Sequence, residues 1–434
     1  MHKCILTLIL LSATPLFSQG QLYTEKKDLS KLCSDLFFGR GYVKSGDSLA
    51  ARYIGSRFFE MGLKPVKNDT YYQSFVHSVN TFPGKMELII GNDTMRPGID
   101  FLMDPNASFS NHSWNFMEVN SAHLYDQSFK NRFITTPTHI KESIDGCIID
   151  LRKMNGDSLK RAKVDFIPEL ARYVDVMVIT DEKFVYSVGN DPLTFSLIYL
   201  QGSVYRKGSP IKTNIDSKYF PKYFSSNVIA MVPAKSQAKK KLFHKEIPAK
   251  SIYITAHYDH LGGMGSNTFF PGANDNASGT SMLLSLADFF VKNPIDYNIV
   301  FIAFAAEEAG LLGSLYYTQN PWTPIEDIHF LVNLDIMGSG DEGITVVNGL
   351  KHTEQFHQLV TLNEKKSYVN VVKARGEAAN SDHYWFSKRG VPSFFIYAMG
   401  NNKNYHDVHD KEEFVAWDYF SKMRSLFIDF INLL

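Results

Sequence analysis

Two nearly uninterrupted apolar runs, Ser251–Ala256 and Asn298–Ala305, constrain this chain more than any other feature. A strand with one wet face alternates apolar and polar residues, so a run without alternation is covered on both faces. Between the two, Ser278–Val291 carries apolar residues at helical spacing and ends near Pro294. This pattern predicts an α/β fold: a mostly parallel mixed sheet flanked by helices. Open sheets of that kind bind ligands just beyond the carboxyl ends of their strands. His257, Asp259 and His260 follow the first run, Glu307 and Glu308 follow the second, and Asp275 sits in the Gly/Asn-rich loop Pro271–Gly279.

At 434 residues the chain is long enough for two domains. The formal net charge is zero, so no global field draws it to nucleic acid or to an anionic membrane. Aromatic residues make up 14%, which argues for packed cores or an aromatic cleft and against disorder. Residues 1–20 read as a signal peptide: Lys3, a mostly apolar Cys4–Leu11, then small-residue cleavage options by Ser18. Pro15 and the polar run after it make the stretch too short for an anchor, so the protein is expected to be exported, periplasmic or extracellular, without stable membrane insertion. Cys33 and Cys147 remain, far apart in sequence, and a disulfide between them is left open. No CxxC occurs, so a bound metal is expected to rest on His and carboxylate ligands.

Residues 21–84 read as an N-terminal helical segment, with helices over Lys26–Phe37 and Ser48–Met61, Asp47 or Ser48 as the second cap and Gly62 as its stop. Residues 85–219 read as a β-rich inserted accessory domain. Its short strand candidates are Lys85–Ile90, Ser121–Tyr125, Gly146–Asp150, Val174–Ile179 and Leu193–Leu200, split by turns such as GNDT and GNDP. Residues 220–434 form the domain that holds the acidic and imidazole clusters. There Asn227–Val232 is a compact strand, KSQAKKKLFHKE a solvated turn, and Trp417–Leu433 a closing amphipathic helix.

Taken singly, each candidate has an ordinary explanation. A strand-end histidine is commonly a hydrogen-bonded surface residue, a Glu–Glu pair is commonly solvated, and Asp275 suits a helix cap. The SDH of Ser381–His383 hints at serine chemistry, but there is no G-x-S-x-G elbow, and HEXXH is absent too. Together with Asp335 at the end of FLVNLD and Tyr405 and His406 in NYHDVHD, however, these groups are too many to bury without metal or dense pairing. Metal-assisted hydrolysis uses such a set: a bridging carboxylate, terminal His and Asp/Glu ligands, and one carboxylate left as base. Glu307 and Glu308 are placed to divide the last two tasks.

The stretches AHYDHLG, PGANDNASGTSMLL, FIAFAAEEAGLLGSLYY, LVNLDIMG, NSDHYWFSKRGVPSFF and YHDVHD resemble the M28 family of zinc aminopeptidases, in detail from about Asn227 onward. The resemblance implies a zinc exopeptidase-like fold and two Zn2+ ions per chain. His257, Asp275, Glu308, Asp335 and His406 would be metal ligands, with Asp275 the bridge, often followed by a cis peptide. Glu307 would be the general base and Asp259 would orient His257, while Asp382, His383 and Tyr405 would lie at the substrate cleft. Residues 85–219 would be a divergent protease-associated-type insertion, roofing the cleft or steering peptide entry.

These expectations add up to a hydrolase: an exported di-zinc aminopeptidase acting on peptides with a free N terminus. The alternatives left open are a carboxypeptidase, a dipeptide-releasing peptidase or a one-zinc glutaminyl cyclase of the same fold. A non-catalytic binding protein is a further alternative. Aromatics at Phe269–Phe270 and Tyr384–Phe386 favour an apolar residue at the cleaved position.

Overall fold

A computed structural model describes residues 22–135, 144–236 and 250–434. The signal-like residues 1–20 and most of the KSQAKKKLFHKE stretch lie outside the described residues. Among the described residues the largest sheet has eight strands, in the order Tyr72–Thr81, Lys218–Val232, Asn298–Phe304, Ser251–His257, Ile328–Leu334, Ser393–Met399, Gly343–Val347, Val372–Ala374. The third to sixth strands run parallel, and the sheet turns antiparallel on either side of them.

The apolar runs are explained by two cores. Ile252, Ile254, Phe301 and Ala303 face a layer of helices that includes Gly279–Lys292 and Trp417–Leu433. Tyr253, Val300, Ile302 and Phe304 face the other side, against Tyr317 and Phe386 of the helices Leu312–Gln319 and His383–Lys388. With side chains alternating between two dry layers, no position on these strands tolerates a polar residue without a partner. The polar Asn333 and Thr255 confirm the rule, because each is buried and hydrogen-bonded to the other at 2.7 Å.

The N-terminal helices Tyr23–Leu32 and Gly46–Met61 pack on the first of these cores. Gly62 ends the second helix in the left-handed conformation, φ 82°. Its start differs from the expected cap. Ser45 is the N-cap without a side-chain bond, and the Asp47 carboxylate instead accepts from Tyr223 Oη (2.7 Å) and Ser225 Oγ (2.9 Å) of the neighbouring strand. Tertiary partners outcompeted the local cap because Asp47 is buried there.

Between the first two strands of the main sheet the chain builds a second core. A five-stranded sheet, ordered Phe101–Met103, Leu197–Gln201, Asp175–Thr180, Gly146–Asp150, Phe116–Val119, is parallel except for its first strand. A smaller antiparallel sheet centres on Met86–Ile90 and Ile211–Ile215. Ser121–Tyr125 is a short 3-10 helix capped by Asn120, not a strand. Asn227–Val232 is the end of a longer strand, Lys218–Val232, whose first half is exposed and therefore lacks the apolar signature. Cys33 and Cys147 are free, and they belong to different cores.

Candidate metal and catalytic site

The four parallel strands end on one side of the sheet, and each delivers part of the site. His257 closes Ser251–His257, Glu307 and Glu308 follow Asn298–Phe304, Asp335 follows Ile328–Leu334, and His406 lies in the loop after Ser393–Met399. Asp275 comes from the loop before the helix Gly279–Lys292, with a cis peptide bond to Asn276. Asp275 does not cap that helix. The adjacent Asn276 does so, its Oδ1 accepting from the Gly279 N–H at 2.9 Å.

The geometry of Asp275 organises the centre. Its Oδ1 stands 3.3 Å from His257 Nε2, and its Oδ2 stands 3.1 Å from His406 Nε2. His257 Nε2 also lies 3.2 Å from Asp335 Oδ1, and His406 Nε2 lies 3.2 Å from Glu308 Oε2. Two donor sets therefore share one carboxylate. Ligand atoms of His257, Glu307 and Asp335 lie within 4.8 Å of one another, as do those of His257, Asp275 and Glu308.

Each imidazole is turned by a carbonyl behind it. His257 Nδ1–H donates to the Asp259 carbonyl at 3.2 Å, and His406 Nδ1–H donates to the Tyr186 carbonyl at 2.8 Å. Both rings thereby aim Nε2 at the carboxylates, the orientation a metal-ligating histidine needs. The donor set suits a small divalent cation bound by imidazole and carboxylate, as zinc is. It also concentrates Asp275, Glu307, Glu308 and Asp335 on one cavity, an excess of negative charge that a dication would offset.

The neighbouring glutamates sit in opposed environments. Burial pushes Glu307 well above the usual carboxylate range, and Glu308, Asp335 and Asp382 add to it against the pull of His257. Burial also acts to raise Glu308, but His406 and His260 hold it down to about 2. His260 Nδ1 lies 2.7 Å from Glu308 Oε1, which leaves Oε2 for His406.

Asp259 is fully buried, and it meets His257 through its backbone carbonyl. Its carboxylate accepts from the backbone N–H groups of Glu307 (3.1 Å) and Glu308 (3.3 Å), and from Tyr42 Oη (3.4 Å). It stands 3.9 Å from His257 Nδ1, so its carbonyl, not its carboxylate, takes the imidazole proton. Asp382 and His383 are fully buried and do not line the cavity. Burial raises Asp382 to about 7, its oxygens lying by Ser314 without a hydrogen bond of regular geometry. His383 packs on Phe395. It is Ser381 that reaches the centre from this segment, donating to Asp335 Oδ2 at 2.8 Å. Tyr405 lines the cavity, its ring stacked on His406 at 3.8 Å.

Three contributors escaped the sequence reading. His260 was visible beside Asp259, but nothing in the sequence tied it to Glu308. Arg40, fully buried, donates to the carbonyls of Tyr258, Leu32, Pro271, Gly272 and Asp275, at 2.7–3.3 Å. It thus pins the Asp275 loop from a segment more than two hundred residues earlier. Tyr186 acts through its backbone carbonyl, for which a sequence carries no signal. Asp410, downstream of His406, receives the N–H groups of Asn274 and Asp275 and fixes the same loop from the other side.

Residues 227–431 match the model for peptidase family M28. Aminopeptidase YwaD of Bacillus subtilis (strain 168) is 33% identical over 211 residues, covering 46% of this chain and 42% of that protein. Leucine aminopeptidase 1 of Pyrenophora tritici-repentis (strain Pt-1C-BFP) is 28% identical over 254 residues, covering 51% and 60% respectively. The chain spans about half the length of the curated relatives it matches. In fold the likeness extends over nearly the whole chain. BSAP, a zinc aminopeptidase from Bacillus subtilis, superposes with a TM-score of 0.64 at 19% identity, covering 94% of this chain and 93% of that one. A peptidase M28 precursor from Shewanella amazonensis SB2B gives 0.58 at 14% identity, covering 94% and 95%. Residues 227–431, a little under half of the chain, are thus the part that matches peptidase family M28.

Proposed function

We propose that the protein is a di-zinc aminopeptidase that removes the first residue of peptides with a free N terminus. The observation that carries this reading is the double engagement of Asp275, one oxygen toward His257 and the other toward His406. His257, Asp335 and Asp275 Oδ1 would hold one zinc, and His406, Glu308 and Asp275 Oδ2 the other. When bound, the zinc pair supplies Lewis acidity for the scissile carbonyl and lowers the pKa of water. Glu307 is the carboxylate not spoken for by a histidine, and its raised proton affinity suits a general base. It takes a proton from the attacking water at a carboxylate oxygen and passes it to the departing amine nitrogen. The substrate's α-amine needs a carboxylate within the cavity, and Glu307 and Glu308 line it. Residues 85–219 contribute to the same centre through the Tyr186 carbonyl on His406.

The names of the relatives support an aminopeptidase, and the signal-like residues 1–20 support export to a periplasmic or extracellular location. Among the described residues no helix is long and apolar enough to cross a membrane. The test is zinc content together with hydrolysis of free and N-acetylated peptides before and after chelation. Two zincs per chain, cleavage only of the free peptides and loss on chelation are expected. One zinc with cyclisation of N-terminal Gln, or cleavage of the blocked peptides from the C terminus, would overturn the reading.

A further inference from the structure

The cavity over the candidate metal site has a volume of about 240 Å³. That is below the roughly 300–1,000 Å³ of pockets for drug-sized ligands, and suits one or two residues of a peptide. Besides the acidic and imidazole groups, its walls carry Ile336, Phe395 and Tyr397, and a single lysine or arginine, Arg375. An apolar wall with one cation at an exposed edge fits a short aliphatic stem that ends in a carboxylate.

Two lysines of neighbouring segments are already paired. Lys351 pairs with Glu377, the acid two residues after Arg375, at 2.5 Å. Lys183 pairs with Asp407 at 2.6 Å. Among the described residues Arg375 is in no ion pair. Its backbone is nonetheless held in place, its N–H donating to the Val346 carbonyl at 2.9 Å and its carbonyl accepting from the Leu350 N–H at 3.3 Å. A fixed backbone, an unpaired guanidinium and a cavity wall together describe a group waiting for an anion from outside the chain.

We infer that Arg375 is a specificity-determining residue that reads a carboxylate of the substrate. This rests on the peptidase reading above. The carboxylate has two possible sources, the side chain of an acidic first residue or the free C terminus of a very short peptide.

The test compares matched pairs on the zinc-loaded protein and on its Arg375→Gln and Arg375→Lys variants. One pair is a C-terminally amidated peptide beginning with Glu against the same peptide beginning with Gln. The second is a Leu-Leu dipeptide against its C-terminal amide. Calorimetric binding of glutamate against glutamine, and of leucine against leucinamide, reads the same preference without turnover. Wild-type protein is expected to favour the carboxylate member of at least one pair, mainly through KM. Arg375→Gln should shrink that ratio by about tenfold or more, with Arg375→Lys intermediate. Preference within the first pair assigns the side chain, and within the second the chain terminus. Equal use and equal binding of both members of both pairs by wild type would overturn the inference, as would a ratio that Arg375→Gln leaves unchanged. Failure of the peptidase reading has a different signature: no peptide is cleaved, or blocked peptides are, while the binding ratios still report on Arg375.

Discussion

His406 Nδ1 and the carbonyl of Tyr186 are 2.8 Å apart, joining a loop of the stretch that matches family M28 to a segment 220 residues earlier. The contact is braced on both sides. The Tyr186 N–H donates back to the His406 carbonyl at 3.0 Å, and Lys183 pairs with the buried Asp407 at 2.6 Å. Tyr186 itself is buried and stacks on Phe270 of the loop that follows His257. The second core therefore takes part in orienting an imidazole of the first.

Lys183→Met should loosen this brace and weaken metal retention at the His406 set first. Losses behind a metal ligand run to about 10–100-fold in affinity, and one step further out the expected effect is about tenfold or less. Zinc titration by competition with a chromophoric chelator checks it: one of two zincs should become easier to remove. Uniform weakening of both, or of neither, would count against the brace.

The adjacent glutamates should separate cleanly on substitution. Glu307→Gln is expected to keep its zinc content and lower kcat by about 10²–10⁴-fold, the usual range for a lost general base. Glu308→Gln should lower zinc content itself. Elemental analysis of both variants beside their kinetics distinguishes the two roles, and a Glu307 variant that loses zinc would reverse the assignment.

Arg40 is fully buried with its guanidinium shared among five carbonyls. Arg40→Met leaves those acceptors unpaired, and the expected loss of stability is on the order of 3–5 kcal/mol. Arg40→Lys should recover only part of it, because an ammonium has three donors and no planar fork. Urea unfolding of the metal-free proteins measures both, and equal stability of Arg40→Met and wild type would refute the role.

Asp47 makes stability depend on pH in a direction opposite to that of a salt-bridged carboxylate. Burial pushes it up to about 6, although Tyr223 and Ser225 donate to it. An unfolded aspartate titrates near ~3.9, so the folded state binds this proton more tightly. The group therefore opposes folding fully above pH ~6, and its penalty fades as pH falls toward ~4, on the order of 3 kcal/mol in all. Relative to wild type, Asp47→Asn should gain stability at neutral pH and lose that advantage near pH 4. A wild-type-minus-variant difference that stays flat between pH 4 and 7 would show that Asp47 titrates normally.

Much of the candidate site is legible in the sequence, because several of its parts follow apolar runs. Strands buried on both faces leave an unmistakable composition, and the polar residues just past their ends stand out against it. His257, Glu307, Glu308 and Asp335 were readable in this way, whereas Asp275 and His406 stand in loops and their roles came from the family resemblance. The same logic failed where burial and contact decide. Asp382 and His383 share a motif with Ser381, but only folding reveals that the serine faces Asp335 while its neighbours turn into the core. Ser121–Tyr125 has strand-like composition yet closes into a turn under the Asn120 cap.

What the sequence by itself determined is the α/β pattern, the strand ends and the inventory of ligand-type side chains, since these follow from periodicity and residue chemistry along a local stretch. Tertiary structure alone decided which oxygen faces which imidazole, that Asp259 holds the Glu307–Glu308 backbone, and that Arg40 and the Tyr186 carbonyl support loops hundreds of residues away. Those relationships join segments through backbone atoms and buried hydrogen bonds. Every residue carries the same backbone groups, so only their meeting in space selects the ones that matter.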